Sequence, residues 1–160
     1  VNVVLNKNTP RFTHLRRFPV LNLNPFSLSS FDIFLRLGGN LETFIEIEAE
    51  LEPEHITLDT YDIIAELEPF GIGNTKPLFL LDGAAIAIMR VVGNSQKHLQ
   101  LALTSRGVTV ECIAFNMAHV YNTITVGQTV SVVCEIIADS WNGYRKVKLR
   151  IVDIKKQDEI

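Results

Sequence analysis

The chain has two cysteines, one tryptophan and four histidines in 160 residues, and none of them falls in a metal-binding or redox spacing. Cys112 and Cys134 sit in apolar, strand-like runs (Cys-Ile-Ala-Phe and Val-Val-Cys-Glu-Ile-Ile), without a Cys-x-x-Cys or a Cys/His pairing. That placement reads as two small buried thiols in a reducing compartment. A bridge between them would require their strands to be neighbours. Long apolar runs are also missing. The longest, from Leu78 to Met89, is broken by Asp82 and Gly83 and is too short to span a bilayer. Nor does the sequence open with the basic start, apolar run and small-residue cleavage site of a signal peptide. These absences predict a soluble, cytoplasmic protein without membrane association, held together by its core rather than by disulfide or metal staples.

A strong excess of one charge is absent as well. The net charge of −3 argues against a protein that coats a polyanion by bulk attraction. The distribution says more than the sum. Residues 1–40 carry +4, residues 41–80 carry −9 with Lys76 as their lone cation, and residues 81–160 carry +2. The last segment keeps its basic residues while the middle one supplies the acidity. Hydrophobic residues make up 47%, enough for one packed domain with extra elements at one end.

Local pattern divides the chain unevenly. In residues 1–40, Asn, Pro and Arg mix with apolar residues in no sustained period, with Pro10, Pro19 and Pro25 as interruptions; Ser29 to Leu37 could form a short capped helix closed by Gly38-Gly39. Phe44 to Leu51 alternates apolar residues with Glu46, Glu48 and Glu50, a half-buried strand with a carboxylate face. Three glutamates on one strand face are about 7 Å apart and diverge, so a solvated face is expected rather than a metal site. Thr57 to Glu68 shifts to helical spacing through Leu58, Tyr61, Ile64, Ala65 and Leu67, with Thr57 as N-cap and Asp59 and Asp62 in the early turns. Pro69 ends that helix, and Phe70-Gly71-Ile72-Gly73-Asn74 forms a turn-rich connector.

From there the chain becomes a procession of strands: 84–92, 98–104, 108–115, 130–138 and 145–154, parted by Gly93-Asn94-Ser95, Ser105-Arg106-Gly107, Gly127 and Trp141-Asn142-Gly143. Only the gap from Asn116 to Val126 has room for a short helix. Five strands with the longer insertion between the third and fourth predict a mainly β chain built on an OB-fold, a small Greek-key barrel that binds oligonucleotides on one face. An SH3-like barrel or a plain sandwich is the alternative. The expected organisation is an irregular stretch over 1–40, a strand–helix junction segment over 41–76, the barrel over 77–156 and a short tail over 157–160.

Leu67-Glu68-Pro69-Phe70-Gly71-Ile72-Gly73-Asn74, followed by Pro77-Leu78-Phe79, resembles the helix-to-barrel junction of RecJ-family exonucleases. A Leu-Glu-Pro-Phe-Gly-x-Gly-Asn signature with a nearby Pro-x-Phe recurs there. The likeness continues in register through Val92-Gly93, His98-Leu99, Ile113-Ala114-Phe115-Asn116 and Trp141-Asn142-Gly143 to Leu149–Asp153, covering residues 44–156. Residues 1–40 show no match, and Thr75 stands where the family often has proline. The resemblance implies a single-stranded-DNA partner and a place in a 5′-to-3′ exonuclease of repair and recombination. In that family, Asp and Asp-His-His motifs of an N-terminal domain bind manganese or magnesium, and a second domain carries a Gly-Gly-His motif. Here there is no Asp-His-His, the histidines (His14, His55, His98, His119) are scattered, and Gly38-Gly39 is followed by Asn40. A two-metal phosphodiesterase needs clustered carboxylates and imidazoles. The expectation is therefore no catalytic residue and no metal or other cofactor in this chain, which would serve a nuclease core or another repair protein as partner.

Cations that follow phosphates and flat side chains that stack bases are what a single-strand interface requires. The candidates are Trp141, Tyr144, Arg145 and Lys146 in one hairpin, Lys148 and Arg150 sharing a strand face with Lys146, and Arg90 and Lys97 beside the Gly93 turn. Trp141 reads equally well as a core residue closing the barrel. The basic stripe reads also as edge-strand charge that deters aggregation. His98 reads as a structural histidine, Phe115-Asn116 as core plus a helix cap, and Pro69, Phe70, Gly71, Gly73 and Asn74 as the motif that fixes barrel against helix. The rival reading is a structural or protein-docking barrel with no DNA affinity of its own, to which the acidic 41–80 segment lends weight.

Overall fold

The computed structural model describes residues 17–19, 44–141 and 143–157, with side chains for residues 45, 47–140 and 143–157. The expected helix from Ser29 to Leu37 lies outside the described residues. Strands β1 (Arg17–Pro19) and β2 (Phe44–Glu46) pair antiparallel as a small separate ribbon. The Phe44–Leu51 segment breaks after β2 and resumes as β3 (Ala49–Glu50). Its alternation survives the break: Ile47, Ala49 and Leu51 are buried, while Glu48 and Glu50 face solvent.

Helix α1 (Leu58–Ala65) starts as its sequence dictates, with the Thr57 hydroxyl accepting the Thr60 N–H at 3.2 Å and Asp59 in the first turn. It ends three residues earlier than the periodicity predicts, because Leu67 and Glu68 close into tighter turns on Ile64 and Ala65 ahead of Pro69. Ile64 is its buried residue and joins the barrel core.

The barrel consists of β4 (Phe79–Val92), β5 (His98–Ser105), β6 (Val108–Ala114), β7 (Thr129–Trp141) and β8 (Tyr144–Lys156). Antiparallel ladders join β4 to β5, β5 to β6 and β7 to β8; β6 and β8 run parallel; and β4 turns back to pair with β7, closing the sheet. That order, with a 3₁₀ turn (Ala118–Asn122) between β6 and β7, is the OB-fold. β4 reaches both neighbours because a bulge between Leu81 and Ala84, with Gly83 at φ +65°, bends the strand. The break that the sequence pattern places at Asp82-Gly83 is therefore a bend within one strand.

Inward alternation fills the barrel: Leu99, Leu101 and Leu103 from β5, Val110 and Cys112 from β6, Val130, Val132 and Ile136 from β7, and Leu149 and Ile151 from β8. Both cysteines are free and buried, and burial pushes the Cys112 thiol up to about 12 and raises Cys134 too. On the outside, Ile47 covers Leu80 and Val133 as a small second cluster. No helix among the described residues is long and apolar enough to cross a membrane.

Candidate functional site

Side chains on β5 and β6 alternate between core and surface, and the ladder registers line up the outward ones across the sheet. One row runs Arg90, Gln100, Ile113, Arg150, Glu135, from β4 through to β7. The next holds Ile88, Ala102 and Glu111, and a third pairs Thr104 with Thr109. A groove of about 310 Å³ lies against the second row and Thr109 of the third, with Ile88, Ala102, Thr109, Glu111, Lys146 and Val147 among its lining residues. Ile88 keeps 60% of its surface open there. The Thr104 and Thr109 hydroxyls are bonded to each other at 2.8 Å.

Lys146, Lys148 and Arg150 project from one face of β8, as alternation predicts, but each is engaged by a carboxylate. Lys146 bonds Glu111; Lys148 lies 2.6 Å from Asp139 and 3.6 Å from Glu111; Arg150 is paired with Glu135. β8 pairs with β7 along its length and with β6 at Leu149 and Arg150. The hydrogen bond from Lys146, opposed by partial burial and helped by the charges of Lys146 and Lys148, lowers the Glu111 carboxyl below its usual range. Asp139 as hydrogen-bond partner raises Lys148.

Glu135 is only 4% exposed and has two cations: Arg150, and Lys76 at 3.1 Å from the junction segment. Burial alone would raise its carboxyl; the hydrogen bonds from Arg150 and Lys76 outweigh that and lower it. Arg145 leaves the β8 face altogether. It reaches back to Asp62 of α1 at 2.6 Å and lies over the Tyr61 ring, 5.6 Å from its centroid.

Arg90 and Lys97 differ from these, for neither makes an ion pair among the described residues. Arg90 donates Nε–H to Gln100 Oε1 at 2.9 Å, and Lys97 is exposed at the end of the β4–β5 turn. Tyr144 is 82% exposed at the β7–β8 hairpin, where its backbone pairs with that of Trp141; the Trp141 side chain lies outside the described residues. Phe115 is half exposed, not core, and Asn116 turns the chain at φ +58° rather than capping an α-helix. His98 is structural as read from sequence, its Nδ1 accepting the Asn116 N–H. The sequence reading passed over Ile88, Gln100 and Glu111, although the alternation that names Leu99 and Cys112 as core assigns their neighbours to the surface.

At the junction, the Asn74 side chain donates to the carbonyls of Leu67 and Pro69 at 2.8 and 2.9 Å, and Gly71 and Asn74 exchange two backbone bonds around a tip formed by Ile72 and Gly73. Phe70 packs against the barrel core, whereas Pro69, Gly71 and Gly73 are exposed. Among the described residues, no group of three or more His, Cys, Asp or Glu is placed to hold a metal ion.

A closed five-stranded OB barrel with a helix and junction loop packed beside it is thus the class of the molecule. The family model of the RecJ OB domain matches residues 47–153, and the chain belongs to that family. The single-stranded-DNA-specific exonuclease RecJ of Bacillus subtilis is 28% identical over 108 residues, covering 68% of this chain and 14% of that protein. Its namesake from Thermus thermophilus is 31% identical over 97 residues, covering 61% and 13%. The crystal structure of the Thermus thermophilus RecJ with Mg²⁺ superposes with a TM-score of 0.58 at 24% identity, over 82% of this chain and 20% of that one. The chain thus spans about a seventh of these curated relatives.

Proposed function

We propose that this chain is the single-stranded-DNA-binding module of a RecJ-type 5′-to-3′ exonuclease of DNA repair and recombination, and that it performs no hydrolysis itself. The observation that carries the reading is membership of the RecJ OB domain family by the same residues that build the barrel. The outer β5–β6 face, which OB barrels offer to oligonucleotides, here carries a groove lined in part by Lys146, with Arg90 in the neighbouring row of the sheet. Metal-dependent cleavage, with Mn²⁺ or Mg²⁺, belongs on this reading to another domain of such a nuclease, because the described residues offer no donor cluster for it.

A second reading, a protein-docking barrel without DNA affinity, draws support from the carboxylates that engage every cation of the β8 stripe. Fluorescence anisotropy of a labelled single-stranded oligonucleotide, titrated with the full chain at low and at physiological salt, separates the two. Saturable binding that weakens steeply with salt is expected, since phosphate contacts release counterions. Absent or salt-insensitive binding would favour the docking barrel. Cleavage of the oligonucleotide in a parallel Mn²⁺-containing sample would overturn the non-catalytic assignment.

A further inference from the structure

One cluster on the outer face serves neither the groove nor the β8 stripe. His98 pairs with Val92 at the start of β5, and Phe115 follows directly on the last residue of β6. Thr109, Glu111 and Ile113 put the outward parity of β6 on odd numbers, so Phe115 continues that face, one row beyond Ile113. The His98 and Phe115 rings meet edge to face, with centroids 5.2 Å apart and planes at 76°.

The arrangement is set before any ligand arrives. His98 Nδ1 accepts the Asn116 N–H at 3.1 Å, which leaves the hydrogen of the neutral ring on Nε2. Gly93, at φ +91°, lies where a Cβ would come within 2.8 Å of His98 Cδ2, so only glycine lets the turn close on the ring. Phe115, in contact with the His98 ring, still keeps 49% of its surface open. Around it the face is mixed: His98, Asn116 and the neighbouring Lys97 are polar, and Val92 and Ile113 are half-buried. Arg90 stands in the row next to His98, about 7 Å along the strand. A flat ring half open to solvent, on a face with two cations that make no ion pair among the described residues, complements a polyanion that carries planar bases.

We propose that Phe115 is a base-stacking residue of this face, positioned by His98, with Lys97 and Arg90 receiving the flanking phosphates. The proposal rests on the single-strand-binding reading. It names the nucleobase as the group this end of the barrel takes, and it predicts tolerance of base identity because every base has a π-face.

The test is the Phe115→Leu variant of the full chain, titrated against labelled oligothymidylate over a series of salt concentrations. Leucine keeps apolar bulk and removes the flat ring. Affinity is expected to fall about five- to a hundredfold with an unchanged salt slope, and Phe115→Trp to restore it. Lys97→Ala should instead lower the slope by about one. Wild-type affinity in Phe115→Leu overturns the stacking role while leaving the function in place. If the wild-type chain itself fails to bind, the function falls and the subsite with it.

A second measurement does not depend on how the leucine variant folds. In a Trp141→Phe, Phe115→Trp chain the one indole sits at the proposed platform, and its emission is expected to fall as oligothymidylate saturates the protein. Unchanged emission at saturation overturns the proposal.

Discussion

Glu111 occupies the middle of the proposed DNA face and engages the two lysines, 146 and 148, best placed to meet a phosphate there. A phosphate must compete with that carboxylate. Removing it through Glu111→Gln should tighten single-stranded-DNA binding by up to about fivefold, the scale of one exposed ion pair, and steepen the salt dependence. Anisotropy at matched salt checks this, and unchanged or weaker binding would mean that the lysines take no part. Glu135 is a different case, because it is buried and satisfied by Arg150 and Lys76. Its carboxyl is lowered in the folded chain, so the stability it contributes is complete above the ordinary carboxylate range and disappears as pH falls through the folded value. Glu135→Gln should cost about 1–3 kcal/mol at neutral pH and flatten the acid limb of stability against pH in urea unfolding. An acid limb as steep as that of the wild type would place the titration elsewhere.

Strands were the most legible level of the sequence. Leu99, Leu101 and Leu103 against Gln100 and Thr104, or Val147, Leu149 and Ile151 against Lys146, Lys148 and Arg150, specify both the element and its buried face. The bend at Gly83 was not legible as continuation, because a bulge and a turn ask for the same residues. The junction shows the same limit. Its glycines announced a turn, yet the pair of bonds from the Asn74 side chain to Leu67 and Pro69 depends on a fold-back that local pattern does not encode. Asn74→Ala removes both bonds from an exposed loop and should lower stability by about 1 kcal/mol, a fall of several degrees in melting temperature. If melting is unaffected, the side chain is a passenger and the backbone bonds between Gly71 and Asn74 hold the loop alone.

At the scale of the molecule, the site was legible in its ingredients and not in its pairings. The basic stripe of β8 is plain in Lys146, Lys148 and Arg150, but the carboxylates that meet it come from Glu111 on β6 and from Glu135 and Asp139 on β7. Only the parallel β6–β8 pairing and the long β7–β8 ladder bring these residues together. The same tertiary logic joins the segment before residue 77 to the barrel. β3 pairs with β4, Ile47 covers Leu80 and Val133, and Ala49, Leu51 and Ile64 belong to the main core cluster. Lys76 adds its ion pair to Glu135. Burying one large aliphatic side chain contributes about 1.5–3 kcal/mol, so a chain beginning at residue 77 would forgo most of the roughly 5–15 kcal/mol by which a domain is stable. Such a truncation is expected to lose cooperative unfolding and to expose apolar surface to a hydrophobic dye, while a chain of residues 44–157 unfolds cooperatively. A cooperative transition in the shorter chain, at the midpoint of the longer one, would show that the barrel closes its core without the strand and helix packed against it.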